Sequence, residues 1–195
     1  MSAIVGILLA GGSSRRFGRR NKLAQPIDGD EPIACRAAAQ NAAPLKEVLV
    51  VVGTEVVETG KLFRGKFNVS VCPNSGDGMG HSIAHGIGQR PGAAGWVIGL
   101  ADMPYIESKT FQRVAAGIVS ATSIVRPRFR GALGHPVGFG AAYADELMAL
   151  RGDVGAQPLL KRHQKYVVFL DTDDPGVVID IDHPDDLQQR VRHPG

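Results

Sequence analysis

The chain has 195 residues, 44% of them apolar and 6% aromatic, with a formal net charge of +3. That length fits a single domain over residues 1–195 with a sizeable core. The small charge and few aromatics argue against a nucleic-acid binder, which would spread Lys and Arg along a surface and interleave stacking rings. No run approaches the ~20 apolar residues of a membrane span. The short stretch Ala3 to Ala10 lacks a cleavage site, and Cys35 and Cys72 show no metal-ligand spacing. The expectation is a cytoplasmic protein with reduced core thiols and no membrane or nucleic-acid partner.

Apolar runs of strand length fall at Ile4–Leu9, Val48–Val52, Val69–Cys72, Trp96–Ala101, Ser123–Arg126, Pro136–Phe139 and Val167–Leu170. Helical patterns lie between them at Glu31–Ala43, Val56–Phe63, His81–Gln89, Lys109–Val119, Ala142–Leu150 and Gln157–His163. Continuous apolar strands joined by helices indicate a mostly parallel sheet covered on both faces. The expected architecture is a three-layer α/β/α sandwich with right-handed crossovers. Arg128 to Pro136 reads as a hairpin or long loop turning at Gly131 and Gly134. Asp171–Gly176 reads as a solvated acidic turn between two strands, and Arg190–Gly195 as a frayed end.

Ligands in such sheets bind beyond the carboxyl ends of the strands, and each chemistry-bearing motif here follows an apolar run. The first strand enters Leu9-Ala10-Gly11-Gly12, then Arg15, Arg16, Arg19, Arg20 and Lys22 within a short span. Glycines let backbone N–H groups close on an anion, and the cations supply charge around it. A polyphosphate suits that arrangement, although the segment is neither a Walker A loop nor G-x-G-x-x-G.

After the Val69–Cys72 run, Asn74, Gly76, Gly78, Gly80 and Ser82 form a glycine-rich turn into a helix. Its backbone could lie against a planar ligand, or it could be only a flexible connection. His81 and His85 have i,i+4 spacing without the H-E-x-x-H pattern and read as helix-facing or solvated. Asp102 ends the run from Trp96 and points into the ligand crevice, as a Mg²⁺ ligand beside phosphate or as an Asx turn. Gly134-His135-Pro136 could be no more than a strand entry, and Asp153 no more than a helix cap. Asp182 suits either an N-cap or a second metal carboxylate. Asp180, two residues away, would face the opposite side of an extended segment.

Motif stretches spread from Ile7 to Leu187 resemble the molybdenum-cofactor nucleotidyltransferases. They are Leu9–Lys22, Leu100-Ala101-Asp102-Met103-Pro104, Gly78–Gly86, Gly134–Phe139 with Gly152–Leu160, and Asp180–Leu187. The last departs from the family pattern at His183 and Asp185, and Gln157 stands where that pattern has an arginine.

The resemblance implies a Rossmann-like nucleotidyltransferase moving a nucleoside monophosphate onto the phosphate of a pterin-type acceptor, with release of pyrophosphate. It implies triphosphate binding by Leu9, Ala10, Gly11, Gly12 and Lys22, and nucleotide contacts from Asn74, Gly78, Ser82 and Asp102. Arg16, Lys22 and Asp102 would be catalytic, His135 and Pro136 would contact the acceptor, and Asp102 with Asp182 would hold Mg²⁺. The Gly78–Gly86 and Gly134–Phe139 stretches resemble the cytidylyl branch and favour CTP. Gly11-Gly12 resembles the guanylyl branch and leaves GTP as one alternative, a related NTP transferase with another phosphorylated acceptor being the other. A molybdoenzyme receiving the product is a further implied partner, and a non-catalytic carrier of nucleotide or cofactor is the competing class.

Overall fold

Side chains along β1 (Ile4–Ala10) alternate between two cores, as a period of two requires. Val5, Ile7 and Leu9 enter one, while Leu8 and Ala10 enter the other. β4 (Val48–Gly53) divides in the same way, with Leu49 and Val51 on the first face and Val48, Val50 and Val52 on the second. These strands are apolar on both faces because helices cover both.

A computed structural model of the chain describes residues 3–12, 21–27, 29–54 and 57–186. Its main sheet also contains β5 (Asn68–Cys72), β6 (Gly95–Leu100), β7 (Ile124–Phe129), β8 (Ala132–Leu133), β9 (Val137–Gly140) and β10 (Val167–Asp171). The order is β10-β7-β9-β6-β1-β4-β5, with β8 hydrogen-bonded to β7. β1, β4, β5 and β6 pair in parallel, as do β7 and β10. β9 lies antiparallel between β6 and β7. The short strands β2 (Pro26–Ile27) and β3 (Glu31–Pro32) form a separate ribbon.

On one face lie α3 (Met79–Gly88), α5 (Ala144–Met148) and α6 (Gln157–Arg162), whose Ile83, Ile87, Leu147, Leu159 and Leu160 surround Trp96 and Phe139. On the other lie α1 (Ile33–Ala42), α2 (Val57–Phe63) and α4 (Ser108–Ala116). The expected mostly parallel three-layer sandwich is therefore the observed one. The helix expected over Ala142–Leu150 is shorter, a 3₁₀ turn at Ala141–Tyr143 leading into α5. No helix among the described residues is long and apolar enough to cross a membrane.

The acidic turn after β10 differs from its sequence reading. Asp171 and Asp173 are exposed, but Asp174 is only 1% exposed. Its carboxylate accepts from the Glu107 and Gly176 amides, each at 2.9 Å, and from Thr110 Oγ1 at 2.6 Å. It thereby joins the start of α4 to a 3₁₀ turn at Pro175–Val178 rather than facing water between two strands. The segment then crosses the ends of the strands under tight constraint. A Cβ on Gly176 would meet Tyr105 O at 2.1 Å, and one on Gly134 would meet Val177 O at 2.3 Å. His135 N donates to Val177 O at 2.9 Å, and Ile181 N donates to Asp102 O at 2.9 Å.

Residues 174–181 thus act as a strap across the active edge, fixed at one end by a buried carboxylate. A buried donor that loses its partner costs about 1–3 kcal/mol, and Asp174→Ala strands more than one. We expect that variant to lose at least about 2 kcal/mol of stability, measured as a fall in the urea midpoint at unchanged m-value. A change within experimental error would mean that the strap is held elsewhere.

Candidate active site

The carboxyl ends of β1 and β6 open onto a pocket of about 470 Å³. Leu9, Gly11 and Gly12 form its floor from β1, Leu100 and Asp102 line it from β6, and Ser75, Gly76, Gly78, Met79 and Ser82 contribute from the turn into α3. Gly12 faces open space, whereas a Cβ on Gly11 would come 3.2 Å from both Ser75 Cβ and Ser82 Oγ. An alanine at position 11 would therefore press first on those two serines. Ala10 is buried beneath the floor, and Asn74 is exposed on the turn outside the residues lining the pocket.

The glycines beyond Cys72 have distinct physical uses. Gly76 has nothing near it and faces the pocket. Gly78 has φ +124°, and a Cβ there would lie 2.3 Å from the Gly152 carbonyl carbon. Gly80 meets the Arg151 backbone, and its amide donates to Gly152 O at 2.8 Å. The start of α3 can dock against the loop carrying Asp153 only without side chains at Gly78 and Gly80. Asp153, read from sequence as a possible cap, instead lines the pocket, and α6 begins after Ala156.

At the pocket mouth, Lys22 Nζ lies 2.9 Å from Asp102 Oδ2 and 3.1 Å from Asp182 Oδ1. Local chemistry presents the lysine: Asn21 accepts from Leu23 N at 3.0 Å and donates to buried Thr59, while Leu23 anchors in the core. Asp102 follows β6, and Asp182 is delivered by the strap through buried Ile181. Burial alone would pull the Lys22 ammonium down, but Asp102 and then Asp182 outweigh it and hold its pKa above the ordinary lysine value.

The Asp186 carboxylate folds back and accepts from the Asp182 and His183 amides at 2.8 and 2.7 Å. Asp180 is not isolated from the cluster. Partial burial raises its pKa, and Asp182 and Asp102 raise it further.

Two carboxylates converging on one cation form a hard-oxygen donor pair suited to Mg²⁺, which takes one or two carboxylates and fills its remaining positions with phosphate oxygen and water. No group of three or more His, Cys, Asp or Glu side chains with metal-binding geometry occurs among the described residues. Of the His81/His85 pair, His85 is engaged elsewhere, its Nε2 2.7 Å from Ser70 Oγ, while the buried Nδ1 of His81 has no hydrogen-bond partner among the described residues. Arg15, Arg16, Arg19 and Arg20, together with the chain from Leu187 to its end, lie outside the described residues.

A second pocket of about 220 Å³ adjoins the first, sharing Leu9, Met79, Leu100 and Asp153 with it. Its walls are largely apolar, among them Ile98, Val137, Phe139 and Leu160, and Arg126, His135 and Gln157 bring polarity. His135 follows a turn and precedes Pro136 through a cis peptide bond. Pro136 itself is buried beside the pocket but does not line it. Burial, reinforced by the Arg126 guanidinium and offset only in part by Asp102, pushes the His135 pKa down to about 4. The ring is therefore neutral near pH 7, and its buried Nδ1 has no hydrogen-bond partner among the described residues. Arg126 and Asp153 were not singled out in the sequence as site residues. The only available signal for Arg126 was a charge in an apolar run that should point inward.

A family model described as the MobA-like NTP transferase domain matches residues 6–166. The purine catabolism protein PucB of Bacillus subtilis is 31% identical over 194 residues, spanning 94% of this chain and 93% of its own. A nucleotidyl transferase from Methanothermobacter superposes with TM-score 0.83 at 21% identity, over 97% of this chain and 96% of that one. Rv0371C of Mycobacterium tuberculosis, in a structure with manganese, gives TM-score 0.75 at 23% identity over 96% and 97% of the two chains. These two superpositions speak for the fold, whereas the family match and PucB span the sequence itself. The chain belongs to the MobA-like NTP transferase family.

Proposed function

We propose that the whole chain, residues 1–195, acts as one nucleotidyltransferase domain that transfers CMP from CTP to the phosphate of a molybdopterin-type acceptor. A phosphate oxygen of the acceptor attacks the α-phosphorus, the bond to the bridging oxygen breaks, and pyrophosphate leaves. Phosphate is already an adequate nucleophile, so the protein contributes position and charge rather than a covalent intermediate. The observation that carries this reading is the Lys22 ammonium held between Asp102 and Asp182 at the mouth of the glycine-floored pocket.

The Leu9–Gly12 backbone would receive the triphosphate, with Gly78 and Ser82 beside the base and Asn74 at the turn's outer edge. Lys22, joined by Arg16, would neutralise charge on the α-phosphoryl group and the leaving pyrophosphate. Asp102 and Asp182 would hold a divalent ion, Mg²⁺ by their oxygen chemistry. When bound, that ion supplies charge stabilisation at the phosphoryl oxygens. The manganese in the structurally similar mycobacterial protein supports a divalent ion in this fold. His135 would face the acceptor in the adjoining pocket, with Pro136 buried behind it as its support. The likeness to a protein named for purine catabolism supports a receiving molybdoenzyme in that process.

GTP is the second reading, favoured by the glycine at position 11. CTP is preferred because the Gly78–Gly86 and Gly134–Phe139 stretches resemble the cytidylyl branch.

Losing one electrostatic contact of this kind commonly costs ~10²–10³-fold in rate. Lys22→Ala and Asp102→Asn are each expected to slow pyrophosphate release by about that factor while leaving the circular dichroism spectrum unchanged. Near wild-type turnover in either variant would remove the assignment. With molybdopterin as acceptor, CTP should outperform GTP and ATP in kcat/KM, and a GTP preference would select the guanylyl reading. EDTA should stop turnover and added Mg²⁺ restore it. Tight nucleotide binding without pyrophosphate release would indicate a carrier instead.

A further inference from the structure

Arg126 occupies an unusual electrostatic position. It lies on β7 two residues after Ile124 and shares that residue's inward face. The residue is 9% exposed, yet its one hydrogen bond runs from Nε to Gly134 O at 3.1 Å, and no carboxylate pairs with it among the described residues. Burial lowers its pKa without removing the charge of a guanidinium. A desolvated cation is costly unless an anion shares its surroundings, and among the described residues no carboxylate is in contact with this one. Neutral His135 beside it cannot compensate. The one carboxylate on the pocket, Asp153, sits on the border shared with the nucleotide pocket. Arg126 and Gln157 lie at the other end, on the border with an outer cleft that also contains Lys161.

We propose that the missing counter-ion is the acceptor substrate. Arg126, assisted by Gln157, is the specificity determinant that receives an anionic oxygen group on the acceptor, carried by a flat or apolar body packed against Val137, Phe139 and Leu160. This inference rests on the transferase reading for the identity of the pocket's occupant, and it names the class of molecule that occupant must be. The recognised group is distinct from the reacting phosphate, because Arg126 borders the outer cleft and does not line the nucleotide pocket that contains Asp102 and the glycine floor. An acceptor is therefore held at two points, reacting at one end and recognised by charge at the other.

The test measures binding without nucleotide, so it does not depend on turnover. Isothermal titration of wild-type protein with naphthoate, naphthyl phosphate and uncharged naphthamide compares probes of similar shape and different charge. One charge-assisted hydrogen bond is worth about 1.5–3 kcal/mol, so the better anion should bind at least ~10-fold more tightly than the amide. Whether the carboxylate or the phosphate binds better identifies the group. Arg126→Met should abolish the preference and Arg126→Lys should keep part of it, with CTP binding measured in parallel to report on folding. Equal affinity for anion and amide in the wild type, failure of all three probes to bind, or a preference surviving Arg126→Met in folded protein would each overturn the proposal. Failure of pyrophosphate release with intact anion preference would instead count against the transferase reading alone.

Discussion

The ion triad of Lys22, Asp102 and Asp182 governs how the rest of the structure is organised. Its three members come from a turn after the glycine loop, the end of a central strand and the strap near the end of the chain. Two carboxylates this close repel each other, and a cation between them removes the repulsion. The ammonium fills that role in the protein alone, and its raised pKa follows from it. On the proposed reading the same carboxylates would hold a divalent ion and the same lysine would meet a triphosphate, with the three side chains already converged.

The strap makes that assembly possible. Asp174 fastens one end to α4, Gly176 and Val177 run against the loops at Tyr105 and Gly134, and Ile181 hydrogen-bonds to the backbone of Asp102. One short segment therefore sets Asp182 in the triad and orders His135 in the adjoining pocket. The two pockets share a wall at Leu9, Leu100, Met79 and Asp153. Ligands on either side would meet near the end of the central strands, where a group-transfer enzyme needs its donor and acceptor to touch.

Much of this was legible in the residues. The apolar runs located all seven long strands, and the glycine and aspartate motifs fell at their carboxyl ends because those ends form the crevice. Lys22 and Asp102 stood out by type and position. Arg126 did not, because a charged residue in a strand reads as outward-facing until the sheet's two covered faces are known. The acidic turn was misread for a similar reason. Three aspartates near a proline look solvated, and only the packing of α4 against the turn turns Asp174 inward.

Local periodicity and backbone chemistry, which act over a few residues, are what the sequence determined alone: alternating strands and helices, a glycine floor able to approach an anion, and candidate carboxylates at strand ends. Tertiary structure decided which of those candidates meet. Lys22 reaches partners 80 and 160 positions away, β9 is inserted antiparallel between parallel neighbours, and Arg126 is buried without a counter-ion among the described residues. Contacts at such separations depend on how the layers pack, and no local pattern encodes that.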